Sequence, residues 1–288
     1  FSDRDQILIA DFVNTTGETA FDGTLRQALA VNLEQSPYLN VVSQDWINET
    51  LRFMGRQPGE RVTDTVAREM AQRRGIKAVL AGNIAQLGSR FVLTLTAVNA
   101  RTGETLASAQ ADAASRDEVL SALGEAGTDV RKKLGESLAS VERFAAPIEQ
   151  ATTSSLDALK AFAQGNDLRA QGRELEALPF YERATQLDPN FAMAYARQSV
   201  IRFNTLDYPG AVRTAKSAYD LRDRVSERER LYITARHMTM IGDNEGARRT
   251  YEMWRQTYPR DTAPRNNLAI VYADLGEHER ALETAREA

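Results

Sequence analysis

The sequence predicts an α+β chain in two parts: a mixed α/β sandwich over residues 1–150, then an all-α solenoid of helical hairpins over 151–288. Three observations carry this. At 288 residues the chain exceeds the usual single domain. Its first half alternates apolar strands, tight turns and amphipathic helices. Its second half repeats small residues at a fixed spacing. An apolar fraction of 42% and a charged fraction of 26% are enough for a packed core throughout.

Residues 6–14 (QILIADFVN) form an apolar run ending in the turn signal Asn14-Thr15-Thr16-Gly17, which predicts a buried strand. Phe21, Leu25, Ala28, Leu29 and Leu33 then lie on one helical face. A short strand is expected over 39–42. Two helices follow, over 45–54 with Trp46, Ile47 and Leu51 inward, and over 63–74 with Val66 and Met70 inward and Gly75 as the cap. Strands are predicted over 77–85, 91–100 and 105–113, joined through Leu87-Gly88-Ser89 and Thr102-Gly103. In the middle strand Phe91, Leu93, Leu95 and Ala97 alternate with Val92, Thr94, Thr96 and Val98, giving one dry face and one less buried face. Ser115 and Glu118 have capping-box spacing, which predicts a helix running to about Ser140. The run Arg131-Lys132-Lys133 reads as a solvated face near that helix's end, favoured by the helix dipole.

In the second half, Ala177, Ala211, Ala247 and Ala281 are separated by steps of 34, 36 and 34. Four positions after each come Tyr181, Ala215, Tyr251 and Ala285; seven after come Ala184, Ala218, Trp254 and Ala288. Pro189, Asp223 and Pro259 follow twelve positions after the first three. Small residues let two helices approach, the aromatic fills the gap between hairpins, and Pro ends the second helix. Gly165, Ser199, Ala235 and Ala269 mark the first helix of each pair. This pattern resembles the tetratricopeptide repeat (TPR) over residues 155–288, in about four repeats with the last cut short. The longer middle step is absorbed near 223–229, where Ser226 and Glu229 form a capping-box pattern.

The resemblance places the first helix of each hairpin on a concave face. It nominates Asn166, Arg169, Asn204, Tyr232, Arg236 and Asn266 as groove residues, whose amides, guanidinium groups and phenol suit an extended peptide and its carboxylates. Family members that clamp a terminal carboxylate use a Lys where this chain has Phe162, so that clamp is not expected. The first half, through "IADFVNTTGETAFDGTLRQALAVNLEQSPYLNVVSQ" and "IKAVLAGNIAQLGSRFVLTLTAVNARTGETL", resembles the segment joined to such repeats in bacterial regulators. There it follows a serine/threonine kinase domain, usually after a membrane helix, or an adenylate-cyclase or winged-helix output domain. Its fold is similar to the N-terminal domain of TolB and to CsgG-like proteins.

Chemistry is scarce. The net charge of −4 comes from 16 basic and 20 acidic residues in 1–150, against 20 of each afterwards, so neither half is built to track nucleic acid. There is no cysteine, and no apolar run reaches the roughly 20 residues needed to cross a bilayer. Phosphate-loop, dinucleotide, kinase and zinc-protease motifs are absent. The two histidines, His237 and His278, read as surface or packing residues and not as metal ligands. Asp11, the one carboxylate inside an apolar strand, reads as an Asx-type partner for loop amides; its alternative is a small-ligand or acid–base site with Asp22 and the turn 14–17.

No catalytic residue, metal or cofactor is therefore expected. The expectation is a protein- or peptide-binding, sensing region of a bacterial signalling protein, the C-terminal part of a serine/threonine kinase first among the settings. The alternative is a small-molecule sensor or accessory domain on a cyclase or winged-helix regulator. Phe1 and Ala288 read as cuts through a longer protein, so any membrane contact would come from a segment outside this chain. That places it in the extracytoplasmic part of an anchored protein or otherwise in the cytoplasm.

Overall fold

The computed structural model describes residues 6–286, so Phe1 and the repeat mark at Ala288 lie outside the described residues. The strand expected over 6–14 forms as two pieces, β1 (Ile7–Ile9) and β2 (Val13–Asn14). Asp11 explains the break. Its N–H donates to the Val62 carbonyl at 2.8 Å and its carboxylate accepts the Val62 N–H at 2.6 Å, drawing the chain away from its strand neighbour. After β2, Asn14 Oδ1 accepts the Thr16 N–H at 3.0 Å in an Asx turn.

Helix α1 (Thr24–Glu34) buries Leu25, Ala28, Leu29 and Leu33, the face that the spacing predicts. The strand expected over 39–42 is reduced to one bridge, Ile7 opposite Val41. Ser36 Oγ accepts the N–H groups of Tyr38 and Leu39, which turns the chain and leaves little to pair. Helices α2 (Gln44–Phe53) and α3 (Asp64–Arg74) start on Ser43 and Thr63, whose side chains cap them, and Gly75 closes α3 in the left-handed region.

Strands β3 (Ala78–Leu87), β4 (Arg90–Asn99) and β5 (Thr105–Ala113) form an antiparallel meander. The sheet order is β1-β3-β4-β5, with β1 and β2 both parallel to β3. α1 and α4 (Val119–Lys133) bury the face carrying Leu93, Leu95 and Ala97, while α2 and α3 pack on Leu8, Val79 and Ala100 opposite.

Two expectations around α4 are corrected. Ser115 does not cap; the Glu118 carboxylate instead accepts the Ala114 N–H at 3.1 Å, and a 3-10 turn over Arg116–Glu118 precedes the helix. α4 then stops at Lys133, and Gly135 at φ +106° turns the chain into α5 (Leu138–Phe144) and α6 (Ile148–Ala151). Arg131 is fully buried, not solvated. The break folds Glu136 back over the last turn, where Arg131 donates to its carboxylate at 2.8 and 2.9 Å and to the Asn32 carbonyl at 3.3 Å. Burial alone would raise the Glu136 pKa; the bonds from Arg131 and Ser140 outweigh it and hold the group below the usual range.

Four hairpins follow: α7 (Leu156–Ala170) with α8 (Glu174–Leu187), α9 (Ala192–Asn204) with α10 (Tyr208–Asp220), α11 (Glu227–Met240) with α12 (Asn244–Thr257), and α13 (Ala263–Asp274) with α14 (His278–Arg286). This is a TPR-like array. Ala177, Ala211 and Ala247 are buried, as are Tyr181 and Tyr251 and, in the third mark, Ala184, Ala218 and Trp254. The 36-residue step is taken up by a 3-10 turn over Arg222–Arg224, after which the Ser226–Glu229 capping box forms as read from the sequence. Each hairpin turns through a left-handed residue: Gly172, Leu206, Gly242 and Gly276. The largest hydrophobic cluster runs without interruption from the sheet through α7 to Ile201 and Ile233, so the two halves share one core. Among the described residues no helix is long and apolar enough to cross a membrane.

Candidate interaction groove

The first helices of the hairpins, α7, α9, α11 and α13, carry one face of the array, and the α/β half leans against part of it. On α7, Lys160 Nζ donates to the Thr19 carbonyl at 2.8 Å. Asn166 Nδ2 donates to Gln27 Oε1 of α1 at 3.0 Å while its Oδ1 accepts the Tyr181 hydroxyl at 2.7 Å. Arg169 lies 3.6 Å from Asp45 at the start of α2. The first hairpin's groove positions thus grip the chain's own α/β half.

The contact continues along the array. Arg228, at the start of α11, donates from Nη1 to Glu34 at the end of α1 (2.9 Å) and from Nε to Asp261 (2.8 Å). These opposite charges outweigh the cost of its burial and hold the guanidinium charged. Asp261 also accepts Trp254 Nε1–H at 3.1 Å, which fixes the acceptor. On α9, Arg197 stacks its guanidinium over the Tyr232 ring at 5.4 Å, and Tyr232 meets Trp254 edge-on at 5.9 Å. Tyr181 is buried, and that burial pushes its phenol up to about 12. A cleft of about 370 Å³, lined by Glu34, Asn40, Asp45, Arg228, Asp261 and Asn266 among others, opens between the α1–α2 loop and α13.

The six groove residues named from the sequence therefore divide. Asn166, Arg169 and Tyr232 have partners inside the chain. Asn204 and Asn266 are exposed, the Asn204 side chain bonding, among the described residues, only to Glu174 at 3.0 Å. Arg236 is half-buried with its guanidinium 5.2 Å over the ring of Phe203 and one N–H aimed at the Ser199 carbonyl at 3.4 Å. Phe203 and Ile270 are exposed on the same faces of α9 and α13. Phe162, the apolar residue that argued against a carboxylate clamp in the sequence, is buried against Phe191 at 4.7 Å.

Sequence reasoning missed Glu34, Arg197 and Arg228. Arg228 carried a faint signal, being a charge at a first-helix position that the other hairpins fill with Ala158, Ala192 and Thr262. Nothing in the sequence tied Arg228 to Glu34.

The carboxylates considered for chemistry are engaged separately. Asp11 accepts the Val62 N–H and pairs with Arg26 Nε at 3.1 Å, while Asp22 accepts from Asn14 Nδ2 at 2.8 Å. Asp167 of α7 faces the Asp11–Arg26 pair, and burial raises its pKa. His237 stacks on Tyr219 at 4.3 Å, and burial lowers its pKa. Among the described residues no group of three or more His, Cys, Asp or Glu could hold a metal ion.

No protein-family model matches this sequence, and no curated protein matches it. Partial likenesses exist among solved structures. The LpoB C-terminal domain from Salmonella enterica is 18% identical, with a TM-score of 0.35 over 38% of this chain and 82% of that one. MamA from Desulfovibrio magneticus RS-1 is 15% identical, with a TM-score of 0.34 over 52% of this chain and 80% of that one. A PelC dodecamer from Paraburkholderia phytofirmans is 15% identical, with a TM-score of 0.33 over 48% of this chain and 92% of that one.

Proposed function

We propose that this chain is a non-catalytic interaction region that binds a protein or extended peptide along the open part of its repeat groove. The observation that carries the reading is the strip left uncovered on the first helices of the second to fourth hairpins. There Phe203 and Ile270 stay exposed and Arg236 lies over the Phe203 ring. An aromatic ring under a guanidinium presents flat apolar area beside directional donors, the combination that anchors partner segments. Asn204 supplies an amide for a partner's backbone, and Asn266 does the same at the mouth of the adjoining cleft.

The α/β half holds this groove in one shape. We take residues 1–150 and 151–288 as the two units, coupled through α7 and the Glu34–Arg228 pair. The wider setting, a sensing region in a bacterial signalling protein such as a serine/threonine kinase, rests on the sequence resemblance alone. A kinase domain followed by a membrane helix encoded upstream of Phe1 would support that setting; a free-standing start there would remove it.

The groove is tested by selecting binders from a displayed peptide library on the whole chain and measuring them against Phe203→Ser/Arg236→Ala. A Leu175→Ser chain, altered at an exposed position on the second helix of the first hairpin, serves as the control. Selected peptides should lose about tenfold or more in affinity with the groove variant alone. Equal binding to all three chains would sink the assignment.

A further inference from the structure

The two faces of the sheet are not equally covered. α1 and α4 pack along the length of one of them, whereas α2 and α3 cover the other only around Leu8, Val79 and Ala100. Beside α3 a cleft of about 390 Å³ opens over β3 and β4. Val79, Ala81 and Val98 form an apolar floor, and Val13 stands exposed at its side. Register sets Asn83 opposite Thr94 and Ala81 opposite Thr96, so an amide and two hydroxyls also line the cleft. None of these three polar side chains bonds to another described residue.

Arg68 of α3 lines the same cleft. It is half-buried, and among the described residues it is the one half-buried arginine with no hydrogen-bond, ion-pair or ring partner. Its Nε is shielded from water and meets no acceptor. Asp64, one turn earlier on α3, forms no ion pair with it. The guanidinium rests against the β4–β5 turn, where its Nη2 lies 3.1 Å from where a Cβ on Gly103 would stand, so a larger residue there would crowd it. Other arginines in this fold, Arg26, Arg131 and Arg228 among them, have carboxylate partners.

We propose that this cleft binds a small organic acid, its carboxylate on Arg68 and its apolar body on Val79, Ala81 and Val98. A partly desolvated guanidinium without an acceptor is unfavourable, and a planar carboxylate satisfies its fork with two parallel bonds. Because the Asp64 carboxylate lines the cleft beside this one cation, a monoanion seated on the guanidinium is repelled less than a dianion such as a phosphate group. The volume suits a body of about ten to twenty non-hydrogen atoms, and a mostly apolar wall with a few converging polar groups is how such sites are built. The cleft is distinct from the repeat groove and does not depend on it.

The experiment titrates the whole chain with phenylacetate, the neutral phenylacetamide and inorganic phosphate, read by calorimetry and by shifts of valine and alanine methyl signals. Phenylacetate is expected to bind saturably, about tenfold more tightly than its amide. Arg68→Gln should remove that advantage and leave the amide unchanged. Thr96→Trp, which fills the cleft, should abolish both while melting near the wild-type temperature. Four results would each overturn the assignment: no saturable binding of phenylacetate up to about 10 mM, equal binding of acid and amide, full binding by Arg68→Gln, or phosphate held as tightly as phenylacetate.

Discussion

Arg228 holds Glu34 at 2.9 Å across 194 residues of sequence, and the same guanidinium holds Asp261 at 2.8 Å. The second bond lies within the repeats, so the first is the one that ties the third hairpin to the α/β half. Arg228→Ala leaves two carboxylates facing each other with nothing between them, whereas Glu34→Gln leaves Arg228 its Asp261 partner. Because both members of the pair keep some access to water, we expect about 1–3 kcal/mol for the first variant and at most about 1 for the second. Denaturant unfolding of both single variants and the double variant gives the coupling. Purely additive losses would mean that the pair contributes nothing to docking.

Leu206 occupies a position that the other three hairpins give to glycine. Its φ of +66° is the left-handed conformation that Gly172, Gly242 and Gly276 adopt without a Cβ penalty. The side chain is largely exposed, so little packing compensates the strain. Leu206→Gly should therefore raise stability by up to about 1 kcal/mol, the strain relieved exceeding the glycine's larger unfolded-state entropy. A lowered melting temperature would show that the leucine makes contacts that outweigh its backbone.

Gly165 shows what the repeat signature demands physically. A Cβ there would lie 2.8 Å from the Tyr181 ring, which is itself fixed by its hydroxyl bond to Asn166. Gly165→Ala should cost about 1–3 kcal/mol in spite of alanine's better helix propensity. The sign of the change in unfolding free energy decides between crowding and propensity.

These cases mark where the sequence was legible. Repeat marks such as Ala177, Gly165 and Ser226 act through neighbours on the same or the next helix, so their spacing carries their meaning. The strands of the meander were equally readable, since Leu93, Leu95 and Ala97 alternate with half-open Thr94 and Thr96. Arg131 is buried and not solvated because α4 breaks after Lys133 and folds Glu136 back over it, and Ser115 does not cap because the Glu118 carboxylate turns back to the Ala114 N–H; neither contact has a mark in the local spacing. The groove was legible only as a face. Which of its residues remain free depends on how an α/β unit far away in sequence docks on it, through Gln27, Glu34 and Asp45.

The capping box of the third hairpin should make stability depend on pH. Glu229 is buried beneath the start of α11, accepting from Ser226 N–H and Oγ–H, and burial pushes its pKa up to about 8 from an ordinary value near 4.5. A carboxyl whose folded pKa exceeds its unfolded one binds more protons when folded. Its contribution is thus complete below about pH 4.5 and is lost as pH rises through about 8. Glu229→Gln keeps the side-chain oxygen that accepts from Ser226 but cannot ionise, so the variant should match wild type near pH 4 and exceed it in melting temperature at pH 8. Parallel melting curves for the two chains across that range would mean that Glu229 is already ionised in the fold, with the Arg228 guanidinium beside it compensating for its burial.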